Sequence, residues 1–397
     1  MSELGSERRD VFNEDHHAFR ETVRRFFRKE VEPHFREWEK QGIFPADVFR
    51  KAGAAGILQA GVPAEYGGGG GDFLHHVILH EEMGYSLAGA SMGGGLGIDG
   101  SSYLILAGGT EEQKREWLPK YASGETIAEA CFTEPQSGSD VAGFRTFAKR
   151  DGDAYVINGN KIWITNGNLC TMVPVVCKTD PEGGTKGMSV LLVDVDTPGV
   201  SRSRPIETLH RGCANETEFF FENVRVGPER LLGGREGGGF KQVMSVLNDM
   251  RVAEGARYLA AAELAFSLTL EFVKNRKAFG QRILDFQNTQ FKLADLKTRA
   301  TVARVYTDKC IALFMEGKLD PVDAAMAKMF TSELHCETVD ECLQLFGGWG
   351  YMWEYPIARA YADARVVKIA GGSIEIMKTI IARQMFAQAG HTIAKSG

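Results

Sequence analysis

"RDGDAYVINGNKIWITNG", residues 150–167, decides how this chain is read. It holds short β-rich runs punctuated by Asp151-Gly152 and Asn158-Gly159. Both dipeptides favour the positive-φ turns of tight hairpins, so the stretch predicts strands joined by hairpins. Working outward, a period of two holds from about Gly124 to Gly234. "MSVLLVDVDTPGV" (188–200) reads as a strand ending at a Thr-Pro-Gly turn, and "ETEFFFENVRV" (216–226) as another. The middle of the chain is therefore expected to be a small antiparallel β domain.

On both sides the period is helical. From about Glu14 to Tyr121, Phe19, Val23, Phe26, Phe27 and Val31 recur at spacings of three and four, with charge on the other face. Turn clusters interrupt this region at "VPAEYGGGGGD" (62–72) and around Gly93 to Gly100. The five consecutive glycines lack the "GK[ST]" of a phosphate loop and read as a flexible connector. After "GGREGGGF" (233–240), amphipathic segments run at about 239–275, 286–317, 322–346 and 373–390. The expected fold class is α+β: an N-terminal helical domain (1–122), a middle antiparallel β domain (123–235) and a C-terminal four-helix bundle (236–397).

Composition narrows the function classes. A net charge of −6 over 397 residues argues against a general nucleic-acid binder, which needs a basic face. No stretch is apolar enough to span a membrane. The N-terminal "MSELGSERRDVFNEDHHAF" has no apolar signal core and is acidic for a transit peptide. The seven cysteines form no CxxC and read as reduced, buried thiols, so a cytoplasmic setting without a metal site is expected.

Four motifs, in order, resemble the acyl-CoA dehydrogenase family along essentially the whole chain. They are "CFTEPQSGSD" (131–140), "KIWITNG" (161–167), "RKAFGQRILDFQ" (276–287) and "QLFGGWGYMWEYPIARAYADARV" (344–366). The closing "GGSIEIMKTIIAR" (371–383) is most similar to the long-chain branch. The resemblance implies FAD as cofactor, an acyl-CoA thioester as substrate and an electron-transferring flavoprotein as electron acceptor. It also implies a homotetramer, a dimer of dimers.

By the same resemblance, Phe132 and Thr133 supply flavin-ring contacts, Trp163 an aromatic packed on the ring, and Thr165 a second hydroxyl. Taken alone, Trp163 reads as a core aromatic and Thr165 as an ordinary strand residue. Ser139 is implied as a contact to both FAD and CoA. Arg276, Phe279 and Gln287, with Gln344, Gly347 and Gly348, are implied as contacts to the FAD of a neighbouring subunit. A guanidinium suits a pyrophosphate because it binds two oxygens at once. Taken alone, the basic run 274–282 is a solvated helix end. Ser373 and Glu375 complete the cofactor set, and Asp249, Met250, Arg251 and Gly372 the substrate side.

The reaction needs a base for the proton alpha to the thioester carbonyl. In most of the family it is a glutamate just before a Gly-Thr or Gly-Ser pair. Here that pair is Gly372-Ser373, and the preceding residue is Gly371. The long-chain branch instead carries the glutamate before an arginine on the first C-terminal helix. Here the arginine is Arg251 and the preceding residue is Met250. Both positions are empty.

Asp249 points about 100° away from Met250 on a helix. Glu254 follows Met250 by one turn on the same ridge. Three readings of Glu254 compete: an ion pair with Arg251 or Arg257, a relocated base, and recognition of a polar acyl group. Ala370 replaces the family's aromatic, "TLHRGCANET" (208–217) matches loosely, and "GGGLGIDGSSYLILAGGT" (93–110) is glycine-rich where it would cap an acyl tail. These features point to a bulky, branched or polar thioester. The alternative function is a base-less member with other flavin chemistry, or a non-catalytic subunit of a mixed oligomer.

Overall fold

The alternating stretch is strand in the structure, and it carries one of its two expected turns. In the computed structural model, which describes residues 9–92, 96 and 100–390, β1 (Phe147–Asp151) and β2 (Ala154–Thr165) pair antiparallel from Asp151↔Ala154 to Phe147↔Asn158. The turn between them uses Gly152 at φ +63. Asn158-Gly159, by contrast, is not a turn. The two residues lie inside β2, at a register shift between Ile157 and Gly159. The Asn158 side chain accepts from the Asn223 amide across the ladder at 2.9 Å. A Cβ on residue 159 would lie 2.5 Å from Thr146 Oγ1, so glycine here serves close approach rather than chain reversal.

In chain order the elements before the sheet are α1 (Glu14–Phe26), α2 (Phe35–Gln41), α3 (Asp47–Ala54), α4 (Phe73–Gly84), α5 (Leu87–Ser91), α6 (Ser101–Gly108) and α7 (Glu111–Ser123). The sheet continues with β3 (Met172–Lys178), β4 (Met188–Asp194), β5 (Val200–Arg202) and β6 (Glu216–Val226). Then come α8 (Gly239–Asn275), the hairpin β7 (Lys277–Ala278) and β8 (Gln281–Arg282), α9 (Gln287–Met315), α10 (Pro321–Phe346), α11 (Pro356–Ala364) and α12 (Ile374–Gln388). The four long C-terminal helices are those expected, with α11 added. Most of the glycine-rich stretch 93–99 lies outside the described residues, and with it much of the tail-capping reading. No helix among the described residues is long and apolar enough to cross a membrane.

The chain folds as two compact units. One holds Thr22–His76 and Ser91–Leu247, with a six-stranded sheet in the order β4-β3-β1-β2-β6-β5. The pairs are antiparallel except β1 with β3, joined in parallel at Phe147↔Lys178, so the sheet is mixed at that seam. Its core gathers Ile157, Ile164, Val173, Val175, Leu191, Val193, Phe219 and Phe221, all buried. Helix α7 starts at a capping box of Thr110 and Gln113. The Gln113 amide donates to the carbonyls of Glu229 and Leu231 at 2.8 Å, joining that helix to the chain beyond β6. The five glycines are no flexible connector: each amide from Gly67 to Gly71 donates to a backbone carbonyl between Gln59 and Ala64. A Cβ on Gly68 would sit 2.2 Å from the Val62 carbonyl oxygen, so the run packs tightly because it lacks side chains.

Of the described residues, the other unit holds 9–21, 77–90 and 248–390. Its apolar core takes Leu259, Phe266 and Val273 from α8, Leu293 and Leu296 from α9, and Leu334 and Cys342 from α10. A buried ionic network accompanies it. Glu81, fully buried, accepts from Arg9 at 2.6 Å and from Arg20 and Arg304 at 2.7 Å. Arg304 also reaches Glu263 of α8 at 2.8 Å, and Glu263 accepts from the Tyr85 hydroxyl. Burial alone would push the Glu81 carboxyl up; three guanidiniums overcome it and hold it far below the usual range. All seven cysteines are free thiols, and all but the half-buried Cys336 are buried. Removing one partner of such a network strands the others without solvent. Arg304→Met is therefore expected to cost about 3–5 kcal/mol, seen as a lower midpoint in thermal unfolding; an unchanged midpoint would mean that the pairing stabilises nothing.

Candidate active site

In the sheet-bearing unit, a buried ion pair fixes the loop 131–140 against β2. Lys161 and Glu134 are both buried, with Nζ 2.8 Å from Oε1. The same ammonium donates to the Phe132 carbonyl at 2.8 Å. Glu134 also accepts from the amides of Arg145 and Thr146. Burial pulls the Lys161 ammonium down in pKa, opposed by the Glu134 charge. The next residues of β2 leave the ladder with β6, whose register jumps between Lys161 and Ile164. Freed from the sheet, the Ile162 amide donates to the Thr133 carbonyl at 2.9 Å. Trp163 sits at φ +63 with its side chain turned outward, 53 % exposed. Left-handed backbone at a bulky residue costs of order 1–3 kcal/mol and marks a constrained site. Trp163 is thus not the core aromatic that its composition alone would predict. Phe132, Thr133 and Thr165 are half-buried, and Ser139 is exposed on the same loop.

In the helical unit, a second group forms around the Gly371-Gly372 turn. Gly371 has φ +65 and Gly372 φ +99, conformations that favour glycine. A Cβ placed on Gly371 would lie 2.5 Å from Glu254 Oε2, so the Glu254 carboxylate fills the space of a residue-371 side chain. Oε2 accepts from the Tyr258 hydroxyl at 3.0 Å. Among the described residues Glu254 forms no ion pair with Arg251 or Arg257, so the intrahelical pair is not what holds it.

Arg251 is buried, its Nη1 bonded to Asn248 Oδ1 at 3.3 Å and its Nε without a partner. Its Nη2 lies 3.7 Å from where a Gly372 Cβ would be. Met250 is half-buried. Burial pushes the Asp249 carboxyl up to about 7, and its Oδ1 has no hydrogen-bond partner. Ser373 caps α12, accepting from the Ile376 amide at 3.4 Å, and exposed Glu375 lies in the first turn.

The third group lies beyond the far end of α8. Phe279 and Gly280, at φ +52 and +83, turn the β7–β8 hairpin, and Phe279 is 96 % exposed. Arg276 borders a cleft of about 450 Å³ with Leu268, Phe272, Phe346 and Pro356. Arg276, Gln287, Gln344, Gly347 and Gly348 are all exposed, and a Cβ on Gly347 or Gly348 would meet nothing within 4 Å. The basic run is thus solvated on this chain. Glu254 and Arg276 are separated by 22 residues of continuous helix and its exit, roughly 33 Å of rise. The structure therefore keeps the second and third groups apart.

Sequence reasoning missed Lys161, Glu134, Tyr258 and Lys328. Lys328 is fully buried on α10 and donates to the carbonyls of Val367 at 2.9 Å and Gly372 at 2.7 Å, clamping the glycine turn. Its signal was present: a lone lysine on an alanine-lined face, "DAAMAKMF" (323–330).

The sequence matches the acyl-CoA dehydrogenase N-terminal domain over residues 13–125, the middle domain over 130–224 and the C-terminal domain over 237–386. It is 42% identical to the mitochondrial long-chain specific acyl-CoA dehydrogenase of Mus musculus, covering 95% of this chain and 88% of that protein. The crystal structure of an acyl-CoA dehydrogenase from Geobacillus kaustophilus superposes with a TM-score of 0.92 at 41% identity, covering 95% of this chain and 100% of that one. A glutaryl-CoA dehydrogenase from Mycobacterium smegmatis, in complex with FADH2, gives 0.87 at 28% identity over 97% of both chains. Together with the geometry above, these matches define the class, an α+β oxidoreductase built on this fold. The chain belongs to the acyl-CoA dehydrogenase family.

Burial pushes Lys328 down to about 8, against the pull of the Glu254 charge. The folded chain therefore releases this proton near pH 8, while the unfolded chain holds it to about 10.5. Between those values the unfolded state binds more protons, so this group's contribution to stability rises with pH, by about 3 kcal/mol in all. Comparing thermal midpoints of the wild type and Lys328→Met from pH 7 to 10.5 is expected to show the gap between them shift in favour of the wild type as pH rises. A constant gap would contradict the depressed ammonium.

Proposed function

We propose that the chain is an FAD-dependent acyl-CoA dehydrogenase whose base is Glu254, carried on α8 in place of a glutamate at 371 or 250. One observation carries the reading: the Glu254 carboxylate fills the space that a side chain at Gly371 would take. A carboxylate is thus offered beside the turn where most of the family carries its base, although that turn has none of its own.

The residues present fit the cofactor. An extruded indole on a strained bulge, with half-buried Thr133 and Thr165 nearby in the same loop and strand, suits a flat ring with a polar edge. Phe132, Thr133, Trp163 and Thr165 would hold the ring, with Ser139 on the same loop; Ser373 and Glu375 are family-implied FAD contacts. When bound, FAD supplies a two-electron acceptor for the hydride leaving the beta carbon. Glu254 takes the alpha proton, and the two losses leave the alpha,beta double bond. Arg251, buried with an unpaired Nε, supplies positive charge beside the turn and a donor for the thioester side. Asp249 and Met250 precede it on α8, and Gly372, its carbonyl held by Lys328, completes the substrate side.

Arg276, Phe279, Gln287, Gln344, Gly347 and Gly348 would serve the FAD of a neighbouring subunit. Their distance along α8 from Glu254 and the exposure of Phe279 support this role, and with it a homotetramer built as a dimer of dimers. The electrons pass to an electron-transferring flavoprotein, in a cytoplasmic setting, and the functional divisions of the chain fall at 1–122, 123–235 and 236–397. Ala370 adds little bulk before the turn, which supports a bulky, branched or polar acyl group over a plain straight chain.

Asp249 is the rival base, because a carboxyl near pH 7 is well matched to the task. Anaerobic mixing of the purified flavoprotein with a panel of acyl-CoA thioesters tests the assignment. At least one thioester is expected to bleach the flavin. Glu254→Gln should slow that reduction by roughly 10²–10⁴-fold, with FAD content and thioester affinity unchanged. Loss in Asp249→Asn but not in Glu254→Gln would transfer the role, and binding without bleaching across the panel would favour a base-less subunit.

A further inference from the structure

We propose that Tyr258 is a positioning residue that orients Glu254, occupying one carboxylate oxygen so that the other accepts the proton. The inference rests on Glu254 being the base. A glutamate side chain has three rotatable bonds, and a base must be held close to its productive geometry. On α8, Tyr258 stands one turn beyond Glu254, and its hydroxyl donates to Oε2 at 3.0 Å. Oε2 is also the oxygen nearer to Gly371, at 2.5 Å from the Cβ position against 3.6 Å for Oε1. Oε2 therefore lies between the phenol and the space that a side chain at residue 371 would take. Oε1 accepts no hydrogen bond among the described residues and keeps its lone pairs for an incoming proton.

Tyr258 is itself rigid. It is 2 % exposed, its ring stacks on His335 at 6.4 Å and 19°, and the Arg257 guanidinium lies 5.3 Å from the ring centre. Burial, reinforced by the Glu254 charge, pushes the phenol well above its ordinary pKa, so it remains a donor at any working pH. Glu254 alternates between carboxylate and carboxylic acid in each turnover, and the phenol can donate to Oε2 in both states. The orientation therefore survives proton transfer, and the proton is directed to Oε1.

A double-variant cycle separates positioning from core packing. Tyr258→Phe keeps the ring and removes only the hydroxyl. Flavin reduction measured in single anaerobic turnovers is expected to slow by about 10-fold or more, with FAD content and thioester affinity unchanged. In Glu254→Asp, whose carboxylate is drawn back from the Tyr258 hydroxyl by one methylene, adding Tyr258→Phe is expected to change the rate by less than about twofold. Equal slowing in both backgrounds would show a packing role and overturn the inference, as would an unslowed Tyr258→Phe enzyme. Full reduction by Glu254→Gln would instead overturn the base assignment, and this inference with it.

Discussion

Glu81 is a carboxylate with no access to water, and the helical unit is arranged around keeping it charged. Its three guanidinium partners come from residues 9, 20 and 304, so one buried anion draws together stretches that are hundreds of residues apart in sequence. A buried charge is tolerable only when its partners are held in place, which makes the network a constraint on register more than a source of stability. Arg304 passes that constraint to α8 through Glu263. Glu263 follows Glu254 by nine residues, about 180° around a helix at 100° per residue. A helix anchored by Glu263 on one face must present Glu254 on the opposite face, whatever the loops do.

The sheet-bearing unit uses the same device on a smaller scale. Lys161 and Glu134 are a buried pair whose spare hydrogen bonds go to backbone: the Phe132 carbonyl on one side, the amides of Arg145 and Thr146 on the other. The pair pins the 131–140 loop to β2 at the residue before the strand breaks register. Ile162 then bonds the loop instead of the sheet, and Trp163 is forced into left-handed backbone with its ring turned out. In each unit a positive-φ stretch sits next to a buried, hydrogen-bonded lysine, Trp163 after Lys161 and the Gly371-Gly372 turn on Lys328. Strain persists only where its surroundings over-determine it, and at Trp163 the buried lysine helps to do so.

What was legible in the sequence was local. Periods of two and 3.6 located the sheet and the four long C-terminal helices, and Asp151-Gly152 made the expected turn, because these signals act over a few residues. Asn158-Gly159 carried the same local signal and misled, since the approach of Thr146 decides that position and nothing nearby in sequence records it. The five glycines misled for a related reason: absent side chains permit flexibility or close packing, and only the tertiary neighbours choose between them. At the site, the candidates carried over from family motifs were nameable one by one. Lys328 and Tyr258 were not, because their roles depend on carbonyls and a carboxylate that folding brings to them.

Gly371 and Glu254 constrain each other in a way that gives the empty position a physical meaning. Any side chain at residue 371 would need backbone at φ +65 and would press its Cβ to within 2.5 Å of the Glu254 carboxylate. A side chain at residue 371 would be strained at that φ and would have to push the Glu254 carboxylate, the far end of a flexible side chain, out of the space. The two are alternative ways of filling one volume with a carboxylate. They differ in what holds it: a turn clamped by Lys328 through carbonyls, or a long helix whose face is set by the ionic network at its other side. The ionic network fixes the Glu254 backbone, because shifting it means rotating α8 against Arg304 and its buried partners, and the Tyr258 hydroxyl then holds the carboxylate. On that mount, the proposed base, one helical turn from Met250, is held in a defined place.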